Sequence, residues 1–275
     1  MTEPQFYPNW TQPLIHLVFA SAELPLISKA TLTTRITAAT NIGPEAVSIE
    51  WEQQDAQHYL GTARIGQHTL FIVGMAVPML SDVIDRTVMV SPWGAQIKAA
   101  MRQHRANISL IYAKGHNDPV EQMIALYSLA SAFETEDLLG VVNLQAWTAH
   151  PTADFLSPAR LAQYRHEIPF NLWIGYVRFY TDDQSFWLVT KGHHIFDVPD
   201  LAYFVGPGQD PELIVTLFIN LFYYLYEQDV FVTAGDTLEF HGSGQKLQFS
   251  QVTELIDDLM GPSGTLVITQ AESPD

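Results

Sequence analysis

Four side chains that could bind a metal or perform acid–base chemistry lie close together in the sequence: His193, His194, Asp197 and Asp200. Imidazole and carboxylate groups suit zinc, iron or manganese, and the four would converge if the segment bends. On an extended strand, adjacent histidines point to opposite faces, so both would rarely bind one ion. The alternative is a polar turn between two strands. We therefore predict no bound metal and no cofactor, and we keep the four residues as a candidate ligand or partner site.

A second candidate site is a basic stripe formed by Lys98, Arg102 and Arg105. These residues fall at positions i, i+4 and i+7 of a predicted helix, on the side opposite to Ile97 and Met101. A stripe of this kind could bind an anion or an acidic partner. The alternative is a solvated face, or pairing with acidic residues of the same chain.

Most familiar catalytic signatures are absent from the sequence. The chain has no cysteine, which excludes disulfides, thiolate nucleophiles and every zinc site that needs cysteine. It contains no glycine-rich nucleotide loop, no His-Glu-x-x-His and no Gly-x-Ser-x-Gly. These absences disfavour the commonest enzyme classes, so a non-catalytic function is favoured over an enzymatic one.

Charge is distributed unevenly along the chain, whose formal net charge is −17. Residues 1–181 carry 15 acidic and 11 basic residues, which gives −4. Residues 182–275 carry 15 acidic residues and only two basic ones, Lys191 and Lys246, which gives −13. Such a surface repels phosphate backbones, so we expect no binding to nucleic acid. It either keeps the protein in solution or attracts a basic protein partner.

Neither a membrane span nor a signal peptide is evident in the sequence. The longest apolar run, from Leu213 to Tyr226, has 14 residues and includes Thr216 and Asn220, whereas a span needs about 20. The first residues, MTEPQFYPNWTQP, lack the basic start and apolar stretch of a signal peptide. Together with the absence of cysteine, these features predict a soluble protein of the bacterial cytoplasm.

The elements that position these residues are predicted from capping and turn patterns. Proline directly after a capping residue marks four helix starts, at Ser91, Asp118, Ser157 and Asp210, and Ser250 is expected to cap a fifth helix. The predicted helices are 92–105, 119–134, 158–166, 211–227 and 252–260. The predicted strands are 14–20, 47–51, 59–65, 69–77, 107–113, 138–147, 172–180, 185–190, 201–205, 230–240 and 265–269. The stretch 28–40 is ambiguous.

These elements predict an α+β fold with mixed, largely antiparallel sheets, hairpins and about five helices. We expect an N-terminal α+β subdomain at 1–148, a connecting segment at 149–169, and an acidic C-terminal α+β subdomain at 170–275 packed on the first. One large domain is equally compatible with the length. The sequence leaves the choice between monomer and homodimer open.

The predicted helix 211–227 is apolar on nearly every side. A helix of this type is normally central to a core, so we expect Leu217, Phe218 and Leu221 to be almost fully buried. The alternative is a subunit interface.

Residues 191–201, Lys-Gly-His-His-Ile-Phe-Asp-Val-Pro-Asp-Leu, resemble a motif of the bacterial family called domain of unknown function 4261. That motif has a glycine, then Phe-Gly-x-Pro-Glu-Leu, then a helix and a strand ending near Gly-Asp-Thr. Asp197 stands where the family has glycine, and Asp200 where it has glutamate. Residues 235–237 and 103–109 are also similar, so the resemblance covers roughly 14–245. It implies no particular chemistry.

The sequence leaves two hypotheses for the function of the protein. The favoured one is a non-catalytic protein-interaction module, of adaptor, regulatory or immunity type. The alternative is a hydrolase-like enzyme with a site around His193, His194, Asp197 and Asp200. The two differ in whether those side chains converge in a concave pocket.

Overall fold

The computed structural model describes residues 16–151, 163–164, 166–239 and 246–270. Within these residues the chain forms two sheets, and helices alternate with strands and hairpins along the sequence. The predicted α+β fold with largely antiparallel sheets is therefore confirmed.

The first sheet has seven strands in the order β2-β3-β4-β5-β1-β6-β7, and all neighbouring strands are antiparallel. As predicted, β3 and β4 form a hairpin, whose tight turn includes Gly66 in the left-handed region (φ 59°). The strands are β1 (His16–Ser21), β2 (Val47–Gln54), β3 (His58–Ile65), β4 (His68–Met75), β5 (Ala106–Lys114), β6 (Leu138–Asn143) and β7 (Thr148–His150).

The second sheet has six strands in the order β11-β12-β13-β10-β9-β8. Among its described strands, β10 and β13 are the one parallel pair. The strands are β8 (Gly175–Tyr180), β9 (Phe186–Lys191), β10 (Asp200–Val205), β11 (Thr237–Glu239), β12 (Lys246–Gln251) and β13 (Thr265–Gln270).

The described residues contain five α-helices of eight residues or more and two of a single turn. Two of the predicted proline-marked starts are observed: Asp118 accepts a hydrogen bond from the Val120 amide, and Asp210 accepts one from the Glu212 amide. The helices are α1 (Lys29–Thr40), α2 (Ser81–Val90), α3 (Ala95–Arg102), α4 (Pro119–Ala132), α5 (Phe170–Trp173), α6 (Pro211–Glu227) and α7 (Ile256–Leu259).

The other predicted starts have a different outcome. Ser91 ends α2 instead of starting a helix, because Ser-Pro also suits the residues that follow a helix. Ser250 lies inside β12, and of the helix predicted at 252–260 only the single turn α7 is observed. The ambiguous stretch 28–40 is helix α1, capped by Ser28. The predicted helix 158–166 lies largely outside the described residues.

Three predicted strands are shorter than expected. The strand predicted at 138–147 ends at Asn143, whose side chain accepts hydrogen bonds from the two amides at 145 and 146 and so turns the chain. The strand predicted at 172–180 begins at Gly175, after α5. Of the stretch 230–239, only Thr237–Glu239 is a strand, β11.

Helix α4 lies at the centre of the core. Ten consecutive residues, from Met123 to Ala132, are all buried, and half of them are alanine or serine. Small side chains let neighbouring layers approach the helix on every side. One cluster of buried apolar side chains runs from the first sheet through α4 to Phe222 and Leu225 of α6. The two predicted subdomains share this cluster, and their division stays a prediction.

Helix α6 is only partly central. Phe218 and Leu221 are fully buried, as predicted, but Leu217 is half-buried, so that prediction is wrong. Along one row of the helix, exposure falls from 67% at Leu213 to 0% at Leu221 and 3% at Leu225. The N-terminal half of α6 is exposed because it borders an open groove instead of a packed neighbour.

Candidate functional site

The segment from His193 to Asp200 folds as a buried turn between β9 and β10. Gly192 and Asp197 both have left-handed backbone, with φ 110° and 58°, and His193–Phe196 forms one turn of 3-10 helix between them. The two histidines therefore do not lie on a strand. The left-handed Asp197 suits a position where the resembled motif has glycine.

Asp200 brings three of the four predicted residues together. Its Oδ1 accepts a hydrogen bond from the His193 amide at 3.1 Å and one from the Thr190 hydroxyl at 3.4 Å. Its Oδ2 lies 3.8 Å from Nδ1 of His194, and neither of these two buried atoms has a hydrogen-bond partner. Asp197 is exposed and does not join the cluster. The structure thus brings His193, His194 and Asp200 together and leaves Asp197 at the surface.

His193 is held as a neutral imidazole. Burial lowers the pKa of His193 to about 4, although the Asp200 charge and the Pro199 carbonyl act in the opposite direction. Its Nδ1 donates to the Pro199 carbonyl at 3.1 Å, and its ring packs on Phe222 with centroids 5.1 Å apart. Near neutral pH this side chain therefore carries no charge.

Lys191 is the member of the cluster that the sequence analysis did not select. It is only 2% exposed, and its Nζ donates to the carbonyl oxygens of residues 258, 259 and 260 at 2.9, 2.9 and 3.1 Å. The same Nζ lies 5.0 Å from the centre of the Trp147 ring, and Arg86 lies over that ring at 5.2 Å. Burial lowers the pKa of Lys191, while Asp200 and Asp258 oppose this change. The sequence did offer one indication that Lys191 is special: it is one of two basic residues after position 181.

The buried polar cluster of Thr190, Lys191, His193, His194 and Asp200 joins β9, β10 and α7. Gly261 packs so closely on Asp200 that a Cβ there would lie 2.1 Å from Oδ2. Among the described residues, no group of three or more His, Cys, Asp or Glu side chains is placed to hold a metal ion. A substrate could reach the cluster only if the turn or α7 moved away.

The three basic side chains of the predicted stripe all make hydrogen bonds within the chain. Lys98 donates to the Met89 carbonyl at 2.8 Å, and Arg102 forms a two-pronged ion pair with Asp85. Arg105 lies beyond the end of α3, where it donates to the Ala22 carbonyl at 3.0 Å. Arg102 therefore pairs with an acidic residue of the same chain, whereas the Arg105 side chain, 3.4 Å from Glu23, stays 71% exposed, so features of both alternatives are present.

An open groove of about 690 Å³ lies beside the N-terminal half of α6. Leu213 and Leu217 of α6 form one wall, while Tyr203 of β10 and Leu247 of β12 belong to the sheet. Asp210 also lines the groove, and no lysine or arginine is among its described lining residues. The groove has the size of a ligand or peptide site. Its lining combines these apolar side chains with Gln209, Thr216, Asn220 and Gln270, and Asp210 is the acidic residue among the described lining residues. Sequence analysis missed it because the groove depends on where α6 leaves the sheet.

No family model, curated protein or solved structure matches this chain. In the part of the chain that the structure describes, no helix is both long enough and apolar enough to cross a membrane.

Acid is expected to destabilise the protein through His193. The unfolded histidine binds a proton near pH 6.5, whereas folded His193 does so only near pH 4, so stability falls as pH decreases through that interval. The gap corresponds to about 3 kcal/mol for this residue. Burial also lowers the pKa of His150 to about 4, which adds a second contribution of the same sign.

Urea unfolding at several pH values from 7 to 4 measures this effect. A His193→Asn variant should lose its share of the pH dependence, and the exposed His58→Asn control should keep all of it. An unchanged pH dependence in His193→Asn would show that His193 titrates normally in the folded protein.

Proposed function

We propose that this protein is a non-catalytic interaction module that binds a basic, partly apolar segment of another protein in the groove beside α6. One observation carries the proposal: a row of leucines that begins in the core, at Leu225 and Leu221, continues onto the surface at Leu217 and Leu213. An apolar row that leaves the core beside a concave surface is typical of a site that a partner covers.

Charge indicates the kind of partner. Asp210 and Glu212 stand at the start of α6, next to the groove, and residues 182–275 carry a net −13. A partner with Lys or Arg beside an apolar anchor would place the anchor on Leu213 and Leu217 and its cations at the rim. Long-range attraction of this kind mainly accelerates association and is screened over about 8–10 Å near physiological salt.

Selection from a displayed library of random peptides on the immobilised full chain tests the proposal. We expect selected peptides to combine Lys or Arg with Leu, Ile or Phe. Their affinity, measured by fluorescence anisotropy, should fall at least tenfold in Leu213→Asp, because the added carboxylate lies in the apolar wall. Their affinity for the parent should also decrease as salt is added, because salt screens the attraction between the charges.

Leu26→Asp is the matched control, since Leu26 is also an exposed leucine, at 57%, and lies outside the groove. It should bind the selected peptides as the parent does. Acidic peptides, or peptides that bind Leu213→Asp and the parent equally, would contradict the proposal. Thermal unfolding of both variants ensures that lost binding is not lost folding.

The hydrolase-like alternative takes second place, because His193, His194 and Asp200 are buried in a closed cluster. A cytoplasmic location belongs to the proposal and is supported by the absence of cysteine. The resemblance to the domain of unknown function 4261 adds no activity to it.

A further inference from the structure

The outer face of the first sheet is covered over only part of its width. Helices α2 and α3 pack Ile84, Val88 and Met101 on the β6 and β7 side of that face. On β3 and β4, in contrast, the outward side chains Leu60, Phe71 and Met75 are 41%, 45% and 40% exposed. This half of the face therefore exposes apolar side chains to solvent, beside polar ones such as Thr62 and Thr69.

The open side chains form one continuous patch. Leu60 lies directly opposite Val73, and Phe71 is flanked by Thr62 of β3 and Ile111 of β5. Directly opposed residues in an antiparallel sheet point to the same face and touch one another. An apolar patch of this kind marks an interaction surface.

Charges border this patch with both signs. Glu50 of β2 lies opposite Thr62, and Arg64 lies two residues from Thr62 on β3, so both point outward with it. Lys114 of β5 lies opposite Thr69, at the same end of the patch as Arg64. The patch thus lacks the strong negative bias of residues 182–275. A surface that carries both signs beside an apolar centre can be complementary to itself, which a twofold interface requires.

We propose that this face is a self-association surface on which a second copy of the chain docks. A twofold axis in the plane of the face, passing between Phe71 and Leu60, places Phe71 of one copy on Leu60 of the second copy. The same rotation brings Arg64 within reach of Glu50 of the second copy. From the usual strand spacings, the strands of the two copies cross at roughly 70°, close to the orthogonal mode of sheet packing.

The size of the patch sets the strength of the dimer. Four strands about 4.8 Å apart and eight residues long at about 3.4 Å per residue give a planar area of about 500 Å². Stable complexes bury about 800 Å² per partner. An interface of this size falls at the weak end of specific complexes, so the dimer should depend on concentration over the micromolar range.

Sedimentation velocity of the full chain from about 1 to about 200 µM tests the proposal. The parent should shift from monomer to dimer within this range, and Phe71→Asp should weaken the dimer at least tenfold. Arg64→Glu and Glu50→Arg should each weaken it as well, and the double variant Arg64→Glu/Glu50→Arg should recover most of the loss. Leu26→Asp should behave as the parent.

A parent that stays monomeric at about 200 µM would overturn the proposal. So would a dimer that Phe71→Asp leaves unchanged, and a dimer lost in Leu213→Asp instead would place self-association at the groove. Circular dichroism shows that each variant is folded. If Phe71→Asp does not fold, the exchange of charges between Arg64 and Glu50 still tests the proposal.

Discussion

Replacing Phe222 by alanine is expected to lower the free energy of unfolding by about 3–5 kcal/mol, the cost of removing a large aromatic side chain from a packed core. Phe222 is fully buried on α6 and joins the α6 side of the core to the polar turn. Its ring centroid lies 5.0 Å from that of Phe170, 5.2 Å from that of Phe196 and 5.1 Å from that of His193. Side chains of α5, of the 3-10 turn and of α6 itself would border the resulting cavity, so the site cannot collapse easily.

Urea unfolding of Phe222→Ala at pH 7 measures this cost. Leu213→Ala is the control on the same helix, and because Leu213 is 67% exposed the change should be within about 0.5 kcal/mol. Equal effects of the two substitutions would mean that α6 is not anchored through Phe222.

Lys191→Met is expected to cost about 3–5 kcal/mol, because it removes one charge from a buried and compensated set. The ammonium group donates to three carbonyl oxygens at the end of α7 and lies near Asp200. Methionine keeps the unbranched apolar stem but lacks the terminal Nζ, so these oxygens and the Asp200 carboxylate lose the cation. We expect α7 to loosen first, because its last carbonyls lose their donor.

Lys98→Met is the matched control. Lys98 also donates to a backbone carbonyl, that of Met89 at 2.8 Å, but at an exposed position, where the loss should be less than about 1 kcal/mol. Urea unfolding compares the two variants, and hydrogen exchange measures the amides of residues 256–264. If Lys191→Met were as stable as Lys98→Met, the buried cation would contribute nothing net to the fold.

Local chemistry was sufficient for part of the structure. Asp118-Pro119 and Asp210-Pro211 start helices because an oxygen acceptor and a residue without an N–H satisfy a helix N-terminus within a few residues. The hairpin at Gly66 and most strands of both sheets follow from turn residues and apolar runs in the same way. Because these effects act between near neighbours in the chain, the sequence alone determined the α+β class.

The candidate site could be predicted only in part. The proximity of His193, His194 and Asp200 in the sequence ensured that they would be near one another in space. Whether they would bind a ligand depended on burial, which is decided by Phe222 of α6 and the segment after α7, far along the chain. The role of Lys191 could not be predicted for the same reason, since its three acceptors lie 67 to 69 residues further along the chain.

Only the tertiary structure decided which helix is central. By composition the large apolar side chains of α6 predicted a central helix, whereas α4, rich in alanine and serine, is the helix buried on all sides. The centre of a layered fold needs small side chains so that several elements can approach, and a helix with large ones can cover the edge of a sheet and extend past it. The same packing leaves Leu213 beside the groove and Phe71 on the open sheet face, and no local pattern in the sequence distinguishes these exposed residues from core residues.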